Sequence, residues 1–244
     1  RGLGDVYKRQ RLTQTTDPAE VARIFDAESK VGSDDEDAKP RYNVAPTQPL
    51  TVVTQRAEQG RLVEQLRWGL VPSFAKSLKD GAKRINARAE TVATSPSFRS
   101  SFRKRRCIVP SDGFYEWRRT GGPKQPYFLH PPEDAVLAMA GVWAVWKDPE
   151  TGLWVPSAAV ITTEANHMMS SIHDRMPVLL PREVWDDWLD PEFDDAEYLG
   201  SLLDPAPDDV LGIYPISTQV NNVRNEGPEL LAPIEEPQTL PLED

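Results

Sequence analysis

The sequence predicts a single α+β domain, and three observations carry that prediction. Candidate strands outnumber candidate helices and follow one another along the chain, which is incompatible with βαβ alternation. No internal repeat and no linker divides the 244 residues. Hydrophobic residues at 39% beside 27% charged fit a folded globular chain rather than a disordered one, and this length buries a substantial core.

The first ten residues, R-G-L-G-D-V-Y-K-R-Q, share no periodicity with the rest of the chain and read as a segment foreign to the domain, which is expected over 11–232. Asp17-Pro-Ala-Glu20 opens a helix: Asp17 as N-cap, Pro18 at the first turn, and Val21, Ile24 and Phe25 as its apolar face. Gly32–Pro40 is an acidic loop, expected to be mobile. Leu50–Thr54 and Leu62–Trp68 read as a hairpin, and a short helix is expected around Ser97–Phe102. Further strands are expected at Cys107–Val109, Gly113–Trp117, Tyr127–Leu129, Val136–Trp146, Val155–Thr162 and Tyr214–Ser217. Helices are expected at Thr163–Ile172, Pro181–Leu189 and Asp194–Leu203; Trp185, Trp188 and Leu189, at helical spacing, read as core. The Pro/Glu-rich end, 233–244, reads as a flexible tail.

One stretch stands out chemically. Pro110–Trp117, P-S-D-G-F-Y-E-W, sets Glu116 between Tyr115 and Trp117. In an extended chain side chains alternate, so Phe114 and Glu116 share one face while Tyr115 and Trp117 share the other. A carboxylate walled by aromatics loses water, which raises its pKa toward the range useful for moving protons at neutral pH. The alternative is a glutamate on an edge strand with its head in water.

Composition excludes several chemistries. Three histidines and one cysteine fall at no metal-ligand spacing, there is no phosphate-binding glycine motif, and G-x-S-x-G is missing, so neither metal nor cofactor is expected. The longest apolar run, Ala135–Trp146, is too short for a membrane span and reads as a buried strand. The single cysteine fits a reducing cytoplasm. Net charge is −10, yet Lys83–Lys124 holds eleven Lys/Arg against three acids, while Asp186–Asp244 holds sixteen acids and one arginine. A local basic surface governs encounter with phosphates more than the total does; the other reading is a solvated cationic face without a partner. Asn43, Asn86, Arg88, Glu116, Thr162 and His173 remain as isolated polar residues in apolar contexts.

Taken together, R-Y-N-V-A-P-T-Q, W-G-L-V-P, I-N-A-R-A-E-T, P-S-D-G-F-Y-E-W, I-H-D-R-M-P and N-N-V-R-N-E-G-P-E resemble the SOS-response-associated peptidase (SRAP) family, in order from about Arg11 to about Leu231. The resemblance implies a compact α+β domain with a mixed, barrel-like β core and peripheral helices. It implies binding, as a monomer, to single-stranded DNA containing abasic sites, and covalent capture of the abasic sugar by a cysteine that becomes the first residue after Met removal. Carried over by position, Asn86 contacts that cysteine and the sugar, Glu116 is the acid/base, and His173 helps open the sugar. Arg88 binds phosphate and Phe74 is an aromatic wedge, with Asn43, Pro46, Trp68, Arg84 and Thr162 also at the DNA. The family opening Met-Cys-Gly-Arg is absent here; Arg11–Asp17 matches the stretch just downstream of that opening, so the chain as written is expected not to form the stable crosslink. Cys107, inside a strand, reads as a small buried residue rather than a substitute. Two rival functions stay open: a thiol peptidase acting on its own N-terminus, and a single-strand binder without catalysis.

Overall fold

The computed structural model describes residues 10–32, 35–118, 124–132 and 135–235. The chain begins with β1 (Arg11–Gln14), α1 (Pro18–Ile24) and the two-residue β2 (Glu28–Ser29), then β3 (Arg41–Val44), β4 (Pro49–Arg56) and β5 (Gly60–Trp68). A 3-10 turn at Leu78–Lys83 leads to β6 (Asn86–Arg88), α2 (Ala89–Val92) and α3 (Arg99–Lys104). Then come β7 (Arg106–Ser111), β8 (Gly113–Trp117), β9 (Pro126–His130), β10 (Leu137–Lys147) and β11 (Trp154–Glu164). The last part holds α4 (His167–Ser170), β12 (Arg175–Pro177), α5 (Trp185–Leu189), α6 (Ala196–Ser201) and β13 (Gly212–Pro215).

Two sheets organise these elements. The smaller is antiparallel in the order β13-β9-β8-β1-β3, and the larger runs β12-β11-β10-β7-β4-β5-β2. A further parallel pairing sets Arg67 and Trp68 of β5 against Ser157 and Ala158 of β11, so the larger sheet returns to itself and closes β4, β5, β11, β10 and β7 into a barrel. The α+β class and the mixed, barrel-like core are therefore as the sequence implied.

Strand alternation sorts the core. On β10, Ala138, Ala140, Val142 and Ala144 face a cluster with Phe25 of α1, Phe102 of α3 and Trp185 and Trp188 of α5. Leu137, Met139 and Trp143 face the other way, into a cluster that the smaller sheet completes with Leu12, Phe114 and Leu129. The small side chains on β10's outer face let the helices approach closely. A third cluster of Tyr115, Trp117, Phe128, Ile216 and Val220 lies on the far side of the smaller sheet.

Several expectations change. Thr163 and Glu164 do not start a helix: they extend β11, paired with Met176 and Arg175 of β12, because β-branched threonines favour the strand and β12 supplies a partner. Only His167–Ser170 is helical, capped by the Asn166 side chain, which accepts from Met169 N. The expected helix at Pro181–Leu189 divides into a 3-10 turn at Arg182–Val184 and α5. The closing strand is Gly212–Pro215 rather than Tyr214–Ser217. Of the acidic loop, Glu36–Ala38 forms a 3-10 turn while residues 33 and 34 lie outside the described residues. Residues 1–9 and 236–244 also lie outside them, although Ile234 N still donates to Pro215 O at 3.0 Å.

Candidate active site

Between the two sheets opens a narrow cleft where β1, β5, β6, β8, β10, β11 and β12 meet. Each polar side chain arrives by strand alternation. On β6, Ala87 faces the helix-side core, so Asn86 and Arg88 share the opposite face. The neighbouring β11 repeats this, with Ile161 in the helix-side core and Val160 and Thr162 lining the cleft. In the parallel register Asn86 stands beside Val160 and Arg88 beside Thr162. Trp68, the last residue of β5, is 2% exposed and donates its indole N–H to Ile85 O at 3.0 Å, tying the barrel to the segment that presents Asn86.

Glu116 enters from β8, which lies in the middle of the smaller sheet rather than at its edge, and is 7% exposed. The alternation expected for P-S-D-G-F-Y-E-W is present: Phe114 packs between the sheets, whereas Tyr115 and Trp117 pack on the far side. Of the two aromatics flanking Glu116 in sequence, Trp117 is turned away from the cleft, while Tyr115 still borders it. Trp68 of β5 and Met139 of β10 line the same cleft, together with Phe114 of β8 itself.

Gln10, immediately before β1, also reaches this cleft, where Asn86 Nδ2 donates to Gln10 Oε1 at 2.5 Å. Asn86 Oδ1 is buried and accepts from none of the described residues, so the cleft presents an open acceptor next to the start of β1. Sequence reasoning passed over Gln10 because it sits within the ten residues assigned to a foreign segment.

The other predicted residues are placed differently. His173 is not part of the cleft lining; it precedes β12, whose Pro177 is. His173 Nδ1 lies 3.0 Å from the backbone N of Arg175 and 3.2 Å from both Arg175 O and Asp174 Oδ1, so the ring is held through this nitrogen in either tautomer. Asn43 is 1% exposed, and its amide donates to the carbonyls of Val220, Asn222 and Asn225, securing the N-N-V-R-N segment. Pro46 is half-buried in the turn before β4. Phe74 is 58% exposed in the loop after β5, which the Trp146 indole fastens by donating to Ala75 O at 3.0 Å. Arg84 is engaged with Ser97 Oγ at 3.0 Å and Asp80 O at 2.7 Å. Arg88 is exposed, and its guanidinium hydrogen-bonds to none of the described residues.

The basic stretch is not one surface. Arg106 is 2% exposed and donates to five backbone carbonyls, those of Phe102, Arg103, Trp188, Asp190 and Phe193. It fastens the ends of α3 and α5 to β7. Burial brings its pKa down to about 10, which leaves it charged at neutral pH. Cys107 is fully buried, and burial, with the nearby Glu64 charge, pushes its thiol far above the ordinary range, so it is held as the unreactive thiol.

These elements make a barrel of mixed strands, flanked by a second sheet, with a buried carboxylate and an amide lining one cleft where the chain enters β1. The family model for SOS response associated peptidase (SRAP) matches residues 10–223. The chain belongs to that family. An abasic site processing protein of Bacillus subtilis, YoqW, is 43% identical over 193 residues, covering 79% of this chain and 85% of its own. The abasic site processing protein HMCES of Gallus gallus is 35% identical over 227 residues, covering 81% and 67%. Among solved structures, a Bacteroides thetaiotaomicron protein superposes with a TM-score of 0.81 at 28% identity, covering 92% of this chain and 99% of that one.

Proposed function

We propose that the protein processes abasic sites in single-stranded DNA, the ring-opened sugar being linked to the amine and thiol of a cysteine exposed at the N-terminus just ahead of Arg11. The observation that carries this reading is the meeting of Asn86, Glu116 and the segment entering β1 in one cleft. An α-amine placed just ahead of Arg11 has Asn86 Oδ1 as an acceptor for its N–H and Glu116 as a proton carrier.

The chemistry is set by these groups. An abasic sugar, opened at C1′, is an aldehyde. An α-amine with an ordinary pKa of about 7.7–8.0 is partly unprotonated near neutral pH and attacks that carbon. The carbinolamine loses its hydroxyl as water, taking a proton that Glu116 can deliver, and leaves an imine. A cysteine thiolate then adds to the imine carbon, the nitrogen regains a proton, and a five-membered thiazolidine closes, one water having been released in all. His173, just ahead of β12, moves the proton from the C1′ hydroxyl to the ring oxygen when the sugar opens. Arg88, next to Thr162 at the cleft, and the exposed Phe74 serve the flanking phosphates and bases.

The test uses two polypeptides. One is the 244-residue chain, whose first residue, Arg1, offers an amine without a thiol. The other has residues 1–10 replaced by Met-Cys-Gly, so that Cys becomes the first residue after Met removal. With an abasic single-stranded oligonucleotide and no reductant, the second is expected to give a shifted band on a denaturing gel, and the first none. No band from the Cys-first chain, or equal bands on undamaged DNA, would refute the reading. Cleavage of an unrelated peptide by the Cys-first chain would favour the peptidase of the family description instead.

A further inference from the structure

We propose that Glu90 is an internal stand-in for a DNA phosphate: it occupies the Arg175 guanidinium in the free protein and must be displaced when the strand binds. This rests on the single-stranded DNA reading above and adds a residue that sets how tightly the strand is held.

The geometry is local to the cleft lip. Arg88 of β6, Thr162 of β11 and Pro177 of β12 stand side by side in register, and Thr162 and Pro177 line the cleft. Arg175 meets Glu90 with both terminal nitrogens: Nη1 donates to Oε1, and Nη2 to Oε2 at 3.0 Å. Nη2 also donates to Thr162 O at 2.5 Å. The two contacts differ in kind. Thr162 O belongs to the sheet and is fixed, so it holds the guanidinium at the lip whatever else happens. Glu90 belongs to the first turn of the short α2, and its side chain is 45% exposed against 21% for Arg175.

A planar guanidinium presents the same fork to a carboxylate as to a phosphate, so the two anions compete for one face. A partly exposed ion pair of this sort is weak, so opening it is cheap. Arg88 sits close enough to act on Glu90's charge, yet its guanidinium has no hydrogen-bond partner among the described residues. A backbone phosphate that replaces the Glu90 carboxylate gains Arg175 and finds Arg88 beside it. It also meets the displaced carboxylate, whose charge opposes binding.

The sign of one substitution decides the matter. If Glu90 competes with DNA, removing its charge tightens binding. If Glu90 merely props Arg175 in place, removing it weakens binding. Affinity for an undamaged, end-labelled single-stranded oligonucleotide is measured by anisotropy for the full chain and for Glu90→Gln, Arg175→Gln and the double variant. At low salt Glu90→Gln is expected to bind about five-fold tighter, the size of one partly screened repulsion a few ångströms away. Glu90→Lys should bind tighter still, both gains should shrink as salt rises, and the Glu90→Gln gain should vanish in the Arg175→Gln background. Unchanged or weaker binding by Glu90→Gln, or a gain that persists without Arg175, overturns the proposal while leaving the DNA reading intact. No binding by any variant, the parent included, overturns both.

Discussion

Arg106 gives the sharpest test of how the barrel is held to its helices. Arg106→Met keeps the aliphatic stem and the packing against Trp188, whose ring lies 5.8 Å from the guanidinium carbon, and removes five hydrogen bonds. The acceptors are not equivalent. Phe102 and Trp188 are buried residues, so their carbonyls lose a partner without gaining water, whereas Arg103 is exposed and its carbonyl can rehydrate. Two or three stranded carbonyls at about 1–1.5 kcal/mol each, less the relief of no longer burying a charge, put the loss at about 2–4 kcal/mol. For a domain of this size that lowers the melting temperature by about 10 °C. Calorimetry and urea unfolding of the parent, Arg106→Met and Arg106→Lys provide the measurement, with lysine expected to recover less than half because its single ammonium cannot span five acceptors. A loss below about 1 kcal/mol for Arg106→Met would refute the reasoning, since it would mean that the carbonyls are served as well by water.

Three other positions give equally definite outcomes. Gly113→Ala drives a Cβ into a Phe128 ring carbon and places it 2.6 Å from Leu129 O, so β8 must move off β9; we expect at least about 2 kcal/mol of destabilisation in urea melts. Burial first, then Glu226 and Tyr214, raise the pKa of Tyr115 above the ordinary phenol range, and its hydroxyl donates to Tyr42 O at 2.6 Å. A raised folded pKa gives stability that is full below the unfolded value of about 10 and is lost as pH rises beyond it, so Tyr115→Phe should be less stable than the parent at pH 7–9 and fall less steeply in alkali. In the Cys-first chain Glu116→Gln should slow crosslinking by about 100-fold or more while leaving affinity for undamaged single strands within about two-fold, as gel time courses and anisotropy would show.

Much of the fold was legible because strand periodicity is a strong local signal. The face assignment around Glu116 needed only the alternation of Phe114, Tyr115, Glu116 and Trp117. The actual surroundings of Glu116 were not legible, because Trp68 and Met139 reach it through pairings far apart in sequence. The short strands β1, β3, β6 and β12 carry too few residues for a periodic signal and exist because a neighbour supplies hydrogen bonds. The same limit misread Thr163–Ile172, where the pattern fitted a helix but β12 claimed the first two residues. Charge counting grouped Arg106 with the exposed cations, since nothing in a run of Arg and Lys tells which member turns inward to bind carbonyls. Asn43 was noticed as a polar residue in an apolar setting, and its amide proves to hold three loop carbonyls.

The measurement that bears most directly on the account is the site and mass of the covalent adduct. The Cys-first chain, incubated with an abasic single-stranded oligonucleotide without reductant, is digested and analysed by mass spectrometry, alongside the same chain carrying Cys107→Ala. The account predicts an adduct on the first residue, with the summed mass of protein and oligonucleotide less one water, in equal yield with and without Cys107. An adduct on Cys107 or on a lysine, or none on the first residue while Asn86 and Glu116 are intact, would contradict it.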